Sequence, residues 1–403
     1  MKSPVHLSDI RGYSRLAVDA TIGVTDLVEN LHRTIVRLRG PLGAATQERT
    51  SGITGLVYRS IRGVTRVVGG GLDLVLAQLI PLLGEVPSSG EREALLAAFN
   101  GVLGDHIDAS GNPLAIRMRL RRDGRPLELT SEALAAAIPQ ASGKILLLAH
   151  GLCMNDLQWR RKGHDHGAAL CADAGFTPVY LHYNSGLHVS VNGRAFAGLI
   201  EELLHAWPVP VEQLVILGHS MGGLIARSAC HYAGLAQHDW LRRLGSIVFL
   251  GTPHHGAPLE RGGNWVDVIL GVSPYSAAFA RLGKIRSAGI TDLRHGSLVD
   301  ADWNERDRFA RSNDTRSAVP LPHAVRCYAI GASIAEGAGH PGEQLLGDGL
   351  VPLASALGQH AKPALNLAIP PAQQWVRYGI NHLDLLADKE VYARVRRWLA
   401  SES

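Results

Sequence analysis

The stretch "LVILGHSMGGLIARSAC", residues 214–230, decides the fold. It places Ser220 between Gly218 and Gly222, after a short apolar run and ahead of a helix-like segment. A G-x-S-x-G pentapeptide in that context predicts a sharp strand-to-helix turn that exposes the serine hydroxyl as a nucleophile. Glycines are needed on both sides because side chains close to the strained serine would clash. The following helix would direct its positive amino-terminal end at the negative charge that develops there.

A general base should follow later in the chain, because a serine hydroxyl alone is a weak nucleophile. With 19 histidines in the chain, nearness in sequence cannot identify that base. His382 is preferred because it lies between the last predicted strand and the closing helix, in a loop that could bring an imidazole over Ser220. His340, in a glycine-rich loop, and His360 remain alternatives.

A carboxylate should hold the base in the correct tautomer and stabilise its charged form. Asp348 lies between two glycines after a predicted strand, so it has the freedom to turn toward His382. A plain Asp-Gly turn would look the same. The order Ser220, Asp348, His382 favours the catalytic interpretation, since it is the order of nucleophile, acid and base in α/β-hydrolases. Asp384 is too close to His382 in sequence to be an obvious orienting group.

Two backbone N–H groups should bind the developing oxyanion. One is predicted at Met221, the residue after the nucleophile, and the other at Leu152, in the loop after the strand "KILLLA". The pair His150-Gly151 would let that loop approach closely. The histidines of "GTPHHG" lie at a strand end and look like pocket wall rather than base. The candidates for the substrate pocket are His150, Gly151, His219, His254 and His255.

Short apolar runs alternate with helix-like segments in the larger, carboxyl-terminal part of the chain. Runs that are apolar on both faces are typical of parallel strands covered by helices on both sides. Residues 114–129 alternate in polarity around Asp123-Gly124, which predicts a β-hairpin. The predicted fold class is therefore α/β, with a mostly parallel central sheet, helices on both faces and an N-terminal helical extension. The strand candidates are 144–149, 177–183, 214–218, 246–251, 325–331 and, more weakly, 364–369.

Residues 1–110 differ from the rest because apolar residues recur there at helical spacing. We interpret this part as a helical extension packed on the main domain. That domain spans 111–403 and carries a cap- or lid-like insertion around 256–322. The helical stretches are 14–39, 52–68 and 91–103.

The second helical stretch raises an alternative. Its apolar residues form one stripe, which is expected to face the core. Arg59, Arg62 and Arg66 lie off that stripe. The alternative is a basic amphipathic surface over 52–83 that contacts a membrane or a lipid body, although arginines fit a solvated face equally well. The members of the stripe are Ile53, Leu56, Val57, Ile61, Val64 and Val68.

The composition indicates a globular protein, with 46% hydrophobic and 19% charged residues. The net charge of +4 is small and no Lys/Arg-dense run occurs, which argues against nucleic-acid binding. The amino terminus lacks a signal-peptide core, and the apolar stretch 74–84 is too short to span a bilayer. Cys153, Cys171, Cys230 and Cys327 are scattered without a CxxC pair, which favours free thiols and a cytoplasmic protein.

The segment "KGHDHG", residues 162–167, contains His164, Asp165 and His166. Histidines at alternate positions can bind a metal on a strand. Here a helix-like segment follows, so we expect a capping or surface role instead. The sequence therefore predicts no metal site and no cofactor.

Several motifs together resemble bacterial esterases and lipases of the α/β-hydrolase superfamily, in the branch related to GPI inositol-deacylases and triacylglycerol lipases. They are "LLLAHGLCMND", "GHSMGG", "FLGTPHHGAPLE" and "GDGLVP". The resemblance covers about 114–400 and leaves residues 1–110 unexplained. It implies carboxylic ester hydrolysis through an acyl-enzyme, with Ser220, Asp348 and His382 as the triad.

The predicted function is therefore that of a serine carboxylesterase or lipase acting on a small-molecule or lipid ester with a fairly apolar acyl group. One alternative is a lipid- or granule-surface-associated protein that uses its N-terminal helices. Another is an acyltransferase, which would use the same triad to pass the acyl group to an alcohol or amine. The sequence does not separate acyl transfer from hydrolysis, because the difference depends on how much water the pocket admits.

Overall fold

The computed structural model describes residues 8–22, 59–68, 70, 73, 89–257, 287–305, 314–338 and 347–400. The chain divides into two compact units, Met1–Ser89 with Ile107–Ala115, and Gly90–His106 with Ile116–Ser403. The expected boundary near residue 110 stays a prediction. Parts of the expected helical stretches, of 52–83 and of the insertion 256–322 lie outside the described residues, as does His340.

In the first unit, residues 8–22 and 59–68 are helical. Asp73 accepts hydrogen bonds from the guanidinium groups of Arg11, at 2.7 Å, and Arg15, at 2.5 Å. These two hydrogen bonds hold the pKa of the Asp73 carboxyl well below its usual range. The helix over 8–22 is thus fixed within its unit by a charged contact to Asp73.

The apolar stripe of the second helix does not face a core in its described part. Ile61, Val64 and Val68 are 41%, 64% and 66% exposed, whereas Arg62, expected off the stripe, is 2% exposed. The prediction of a core-facing stripe is therefore wrong for residues 59–68. A row of β-branched residues at helical spacing looks the same in sequence whether it meets a core or solvent.

The second unit is built on one eight-stranded sheet. Its strands are β1 (Arg119–Arg122), β2 (Arg125–Pro126), β3 (Lys144–Ala149), β4 (Thr177–His182), β5 (Gln213–His219), β6 (Leu244–Leu250), β7 (Arg326–Ser333) and β8 (Gln374–Tyr378). The strand order is β2-β1-β4-β3-β5-β6-β7-β8. In this order, each pair of neighbouring strands from β4 to β8 is parallel, including the pairs that β3 makes with β4 and β5. Strand β1 is antiparallel to β2 and to β4. The predicted α/β fold with a mostly parallel sheet is confirmed.

Helices of this part of the chain are α1 (Gly90–Ala109), α2 (Ser131–Ala137), α3 (His166–Ala174), α4 (Val189–Ala206), α5 (Met221–Ala236), α6 (Ala288–Asp292), α7 (Leu353–Ala356) and α8 (Lys389–Ala400). Short 3-10 turns span Asp156–Trp159, Asp239–Arg242, Asp300–Asp302, Pro363–Leu365, Pro371–Gln373 and Asp384–Leu386. Alternate residues of β3 face opposite sides of the sheet, as the two-residue repeat of a strand requires. Leu147 packs in one core with Phe196 of α4, and Leu148 packs in the other with Leu170 of α3 and Val395 of α8. Helices therefore cover both faces, as predicted.

The predicted hairpin joins β1 to β2. Asp123 and Gly124 have φ values of 50° and 72°. Two successive residues with positive φ make the tight turn whose twist matches that of the flanking strands. The Asp-Gly pair is thus the sequence feature that fixes this edge of the sheet.

The weakest strand candidate, 364–369, is wrong. Pro363–Leu365 form a 3-10 turn, and the N–H of Leu367 donates to the carbonyl oxygen of Gly358 instead of joining a ladder. The last strand is β8, which pairs in parallel with β7. All five residues of β8 are half-buried. As an edge strand it lacks the continuous apolar run of the central strands, so its sequence is inconspicuous.

Asp165 caps the amino terminus of α3. Its Oδ1 accepts hydrogen bonds from the N–H of Ala168, at 2.9 Å, and from the hydroxyl of Tyr180, at 2.7 Å. The capping role expected for the "KGHDHG" segment is confirmed. Over the described residues, no group of three or more His, Cys, Asp or Glu side chains is arranged to hold a metal ion.

None of the helices within the described ranges combines the length and apolarity needed for a membrane span. The cysteines are all unpaired. Cys153, Cys230 and Cys327 are buried, and Cys171 is exposed.

Candidate active site

Ser220 occupies a strained turn between β5 and α5. Its φ and ψ are 54° and −124°, a combination that L-residues rarely adopt. Its N–H donates to the carbonyl oxygen of Leu250 at 2.8 Å, and its carbonyl oxygen accepts from the N–H of Gly223 at 3.1 Å. The side chain is half-buried. The predicted sharp strand-to-helix turn is present, and bonds to β6 and α5 hold it.

Close backbone contacts explain the glycines around this turn. A Cβ added at Gly218 would lie 2.7 Å from the Cα of Gly223, and one added at Gly222 would lie 2.1 Å from the carbonyl oxygen of Ala149. Both distances are too short for a side chain. The sequence therefore needs glycine at both positions for α5 to start against the end of β3.

The His-Gly turn after β3 lies directly beside Ser220. A Cβ added at Gly151 would lie 3.1 Å from the Cβ of Ser220. The turn closes through a hydrogen bond from the N–H of Met154 to the carbonyl oxygen of Gly151, at 3.3 Å. Cys153 in this turn has a φ of 59°, and its N–H donates to Oγ of Ser185 at 3.0 Å. Burial raises the pKa of the Cys153 thiol to about 12, so this cysteine is not a competing nucleophile.

The two amides predicted to bind an oxyanion flank Ser220. Leu152 belongs to the turn that contacts the serine through Gly151. Met221 is the first residue of α5, and the N–H groups of a first helical turn have no acceptor within the helix. Their role as oxyanion donors stays a prediction.

The structure brings Asp348 and His382 together. Oδ2 of Asp348 lies 2.6 Å from Nδ1 of His382, and both residues are nearly buried, at 2% and 4% exposure. The other carboxylate oxygen accepts the N–H groups of Leu350 and Val351, at 3.0 and 2.8 Å. Gly347 and Gly349 have positive φ, at 48° and 93°, a backbone conformation that favours glycine on both sides of Asp348.

The tautomer of His382 follows from this geometry. A carboxylate accepts hydrogen bonds, so Nδ1 of His382 carries the proton of this contact, and in the neutral ring Nε2 carries the lone pair. Nε2 is buried and has no hydrogen-bond partner within the described residues. It is therefore available to take a proton from a hydroxyl group that approaches it.

The imidazole of His382 lies at the carboxyl ends of β5 and β6, and Ser220 directly follows β5. A Cβ added at Gly251, just after β6, would lie 3.0 Å from Cε1 of His382. The ring centroids of His382 and His219, the residue before Ser220, are 4.7 Å apart. The loop that carries His382 thus reaches the carboxyl ends of the strands, where the serine turn lies.

The alternative residues have other neighbours. Nε2 of His360 lies 3.9 Å from a carboxylate oxygen of Asp314, and its ring packs on His255. Asp384 pairs with Nζ of Lys162 at 2.6 Å. These contacts give His360 and Asp384 partners other than the Asp348–His382 pair.

The two histidines of "GTPHHG" are held by arginines that the sequence analysis did not identify. Nη1 of Arg227 lies 3.3 Å from Nδ1 of His254, and Nη2 of Arg316 lies 2.8 Å from Nδ1 of His255. Since a guanidinium only donates, both Nδ1 atoms accept and both rings are neutral. Burial lowers the pKa of Arg227 to about 10. An arginine inside the otherwise apolar α5 is the signal that could have revealed this contact.

The remaining pocket candidates have buried side chains. His150 and His219 are fully buried. The ring of His150 stacks on Tyr183 at 4.2 Å, and the Tyr183 hydroxyl donates to the carbonyl oxygen of His150 at 2.7 Å. Burial lowers the pKa of His150 to about 4, so its ring is neutral at pH 7. Gly151, by contrast, contacts Ser220 directly.

A separate cavity of about 460 Å³ lies at the amino ends of the parallel strands, opposite the end at which Ser220 lies. Its lining residues precede β5 and β6, and they include Trp207, Trp240 and Arg243. Ser220, by contrast, follows the carboxyl end of β5.

One family model and several solved structures are similar to this chain. The family model described as the PGAP1-like alpha/beta domain matches residues 140–320. No curated protein matches the chain. Among solved structures, the mature lipase BlEst2 of Bacillus licheniformis aligns with a TM-score of 0.41 and 15% identity, over 71% of this chain and 98% of that one. Lipase B of Aspergillus fumigatus aligns with a TM-score of 0.42 and 12% identity, over 98% and 85%. Esterase Pf2001 of Pyrococcus furiosus aligns with a TM-score of 0.38 and 11% identity, over 65% and 82%.

The sheet and the family model indicate the same fold. The parallel order β4-β3-β5-β6-β7-β8 carries a strained serine after β5, and the matched segment 140–320 contains both the His-Gly turn and that serine. The second unit therefore has an α/β-hydrolase fold, and residues 140–320 are similar to the PGAP1-like alpha/beta domain.

Proposed function

We propose that the chain is a serine hydrolase that cleaves carboxylic esters through an acyl-enzyme intermediate. Ser220 is the nucleophile, His382 the general base, and Asp348 the group that orients it. The observation that carries the proposal is the buried Asp348–His382 contact of 2.6 Å, which lies at the same edge of the sheet as the strained serine. The partnerless Nε2 of His382, judged over the described residues, supports it further.

In the first half-reaction, Oγ of Ser220 bonds to the ester carbonyl carbon and its proton passes to Nε2 of His382. The carboxylate of Asp348 stabilises the imidazolium that forms. The carbonyl oxygen becomes an oxyanion, which the N–H groups of Leu152 and Met221 bind. The tetrahedral intermediate then collapses, the bond to the alcohol oxygen breaks, and His382 gives its proton to the departing alcohol.

In the second half-reaction, a water molecule takes the position of the alcohol. His382 removes a proton from the water, whose oxygen bonds to the acyl carbon. Collapse of the second tetrahedral intermediate breaks the bond to Oγ of Ser220, and the proton returns from His382 to the serine. The products are one carboxylic acid and one alcohol.

The substrates we assign are small-molecule or lipid esters with a fairly apolar acyl group, the class that the motif resemblance implies. Neither half-reaction requires a cofactor or a metal ion in this scheme. A cytoplasmic location belongs to the same proposal, and the unpaired state of the four cysteines supports it.

The direct test is labelling with a fluorophosphonate probe, which reacts with activated serines, followed by peptide mapping. We expect the probe on Ser220, and we expect turnover of p-nitrophenyl esters to fall by about 10³-fold or more in Ser220→Ala. Ser131→Ala, at an exposed serine that begins α2, is the matched control and should keep wild-type turnover. Folded protein that is not labelled at Ser220, or a Ser220→Ala variant with wild-type turnover, would refute the proposal.

Acyl transfer would use the same residues and differs only in what enters after the alcohol leaves. An alcohol or amine that occupies the position of the water would receive the acyl group. Product analysis in the presence of a primary alcohol distinguishes the two outcomes, because hydrolysis yields acid and transfer yields a new ester.

A second candidate function is contact with a lipid surface through the region 52–83. The observation that favours it is the exposed apolar row on the helix over 59–68, where Val67 is 76% exposed and Val64 is 64% exposed. Arg59 and Arg66 on the same helix are also exposed. Apolar residues flanked by arginines suit the interface of a membrane that contains anionic lipids.

Flotation with vesicles tests this second candidate. We expect the full chain to float with vesicles that contain phosphatidylserine, and the double variant Val64→Asp, Val67→Asp to remain in the lower fraction. Its turnover of soluble esters should be unchanged. Failure of the wild-type chain to float would remove the candidate without affecting the proposed hydrolase.

A further inference from the structure

Two buried histidines bond to the backbone of the loop that carries His382. Nε2 of His219 lies 3.2 Å from the carbonyl oxygen of His382 itself. Nε2 of His166 lies 2.8 Å from the carbonyl oxygen of Leu385, three residues further on. Both imidazoles are fully buried, at 0% exposure. The loop is thus tied at two carbonyl groups by side chains from β5 and α3.

The hydrogen bonds fix the tautomers of both rings. A carbonyl oxygen only accepts, so Nε2 carries the proton in His219 and in His166. In His166 the unprotonated Nδ1 lies 2.9 Å from Nε2 of His164, which must therefore donate to it. Burial is the main cause that lowers the pKa of His166 to about 4 and that of His219 well below the ordinary value. Both rings are neutral donors at pH 7.

A third side chain connects the two donors. Trp159 is fully buried, and its ring lies edge-on to His166 and to His219, with centroid distances of 6.5 and 6.4 Å. The indole thus makes an edge-on ring contact with each imidazole inside the core. The donors are therefore held by the core of the sheet as well as by their own hydrogen bonds.

Neutrality matters because His219 is so close to His382. Their ring centroids are 4.7 Å apart. A positive charge at that distance would oppose the protonation of His382 and weaken it as a base. A neutral imidazole supplies an N–H donor at this position without that effect.

We infer that His219 and His166 are positioning residues that fix the loop Asn381–Leu386 and so aim Nε2 of His382 at the serine turn. This inference rests on the proposed function and adds two residues to it. It gives a role to the histidine of "GHSMGG" and to the second histidine of "KGHDHG", which the triad leaves without one. Neither residue touches the substrate in this scheme.

The test compares two substitutions at each position. His219→Leu and His166→Leu remove the donor and keep an apolar side chain of moderate size. His219→Gln and His166→Gln keep an N–H donor near the place of Nε2 and remove the ring. We expect each Leu variant to lower kcat for a p-nitrophenyl ester by about 10- to 100-fold, because a catalytic group displaced by about 1 Å loses rate on that scale. KM should stay within about two-fold of the wild-type value, and each Gln variant should recover most of kcat.

A merely structural role predicts a different pattern. Leu and Gln variants would then lose kcat equally, in proportion to the fraction of unfolded protein, and that result would overturn the inference. Thermal unfolding midpoints supply the folded fraction. If His219→Leu does not fold, the pair at His166 decides alone, since it lies on α3 rather than in the serine turn. Wild-type protein that the fluorophosphonate probe does not label at Ser220 would instead refute the proposed function.

Discussion

The carboxylate of Asp348 lies 2.6 Å from Nδ1 of His382, and the N–H of His382 donates to the carbonyl oxygen of Asp348 at 3.1 Å. The side chains and the backbones of both residues are thus joined in a small closed ring of hydrogen bonds. This arrangement fixes the rotation of the imidazole about its own bonds and leaves Nε2 pointing away from the carboxylate.

Asp348→Asn should abolish most of the activity while leaving the fold intact. The amide can present N–H to Nδ1, which forces His382 into the tautomer that carries a proton on Nε2 and cannot act as a base. We expect kcat to fall by about 10³- to 10⁴-fold in steady-state ester hydrolysis. Asp384→Asn, which removes the carboxylate that pairs with Lys162, is the control and should lose less than about three-fold. The reverse ranking of the two variants would contradict the assignment of Asp348.

His382→Ala and His360→Ala separate the two candidate bases that the structure describes. His382 bonds to a buried carboxylate, whereas His360 lies beside Asp314 and His255. The first variant should lose about 10³-fold or more in kcat/KM, and the second should stay close to the wild-type value. Activity retained by His382→Ala would mean that another histidine, such as His340 or His360, is the base.

Gly222→Ala should destabilise the protein because its new Cβ would lie 2.1 Å from the carbonyl oxygen of Ala149. We expect a loss of about 1–3 kcal/mol in the free energy of unfolding, measured by urea denaturation, and a further loss of activity as α5 shifts. Gly198→Ala, within α4, meets nothing within 4 Å and should add about 1 kcal/mol of stability instead. Equal stability of the two variants would argue against the tight contact at the serine turn.

The free energy of unfolding should fall as the pH is lowered from 6.5 to 4. Burial lowers the pKa of His150 and of His166 from 6.5 to about 4 in the folded chain. Between these values the unfolded chain binds protons that the native rings do not, so acid favours unfolding. Each ring contributes up to about 3 kcal/mol over this range. Urea denaturation at pH 7, 6 and 5 should show a shallower decline for His166→Gln, which does not titrate, and an unchanged decline would disprove the buried neutral state of His166.

The central strands were predictable because their residues are buried on both sides, which leaves a continuous apolar run in the sequence. For that reason the run 144–149 matches β3, and the run 214–218 lies within β5. The edge strand β8 escaped prediction because its residues are half-buried and include Arg377, which pairs with Asp388. Residues 364–369 carry a stronger apolar pattern, yet the 3-10 turn at Pro363–Leu365 keeps their backbone out of the sheet.

The positions of Asp348 and His382 could be proposed from chain order, because α/β-hydrolases carry the acid and the base after the nucleophile. Contacts made to backbone groups give no comparable signal in the sequence. The bond from His219 to the carbonyl oxygen of His382 joins positions 163 apart, and any residue type at 382 would offer the same acceptor. The contacts of Arg227 and Arg316 were not predicted for a similar reason. Their partners, His254 and His255, follow β6 and come close to these arginines only in the folded chain.

The amino ends and the carboxyl ends of the parallel strands are two separate regions of the protein surface, so one can be attached to a support while the other stays accessible. Catalytic chemistry is assigned to the carboxyl ends, where Ser220 lies, whereas Trp207 and Trp240 border a cavity of about 460 Å³ at the amino ends. A surface tether or a dye attached beside Arg243 would therefore stay out of the path of an incoming ester. Immobilised in that orientation, the protein would present its serine turn to the bulk liquid.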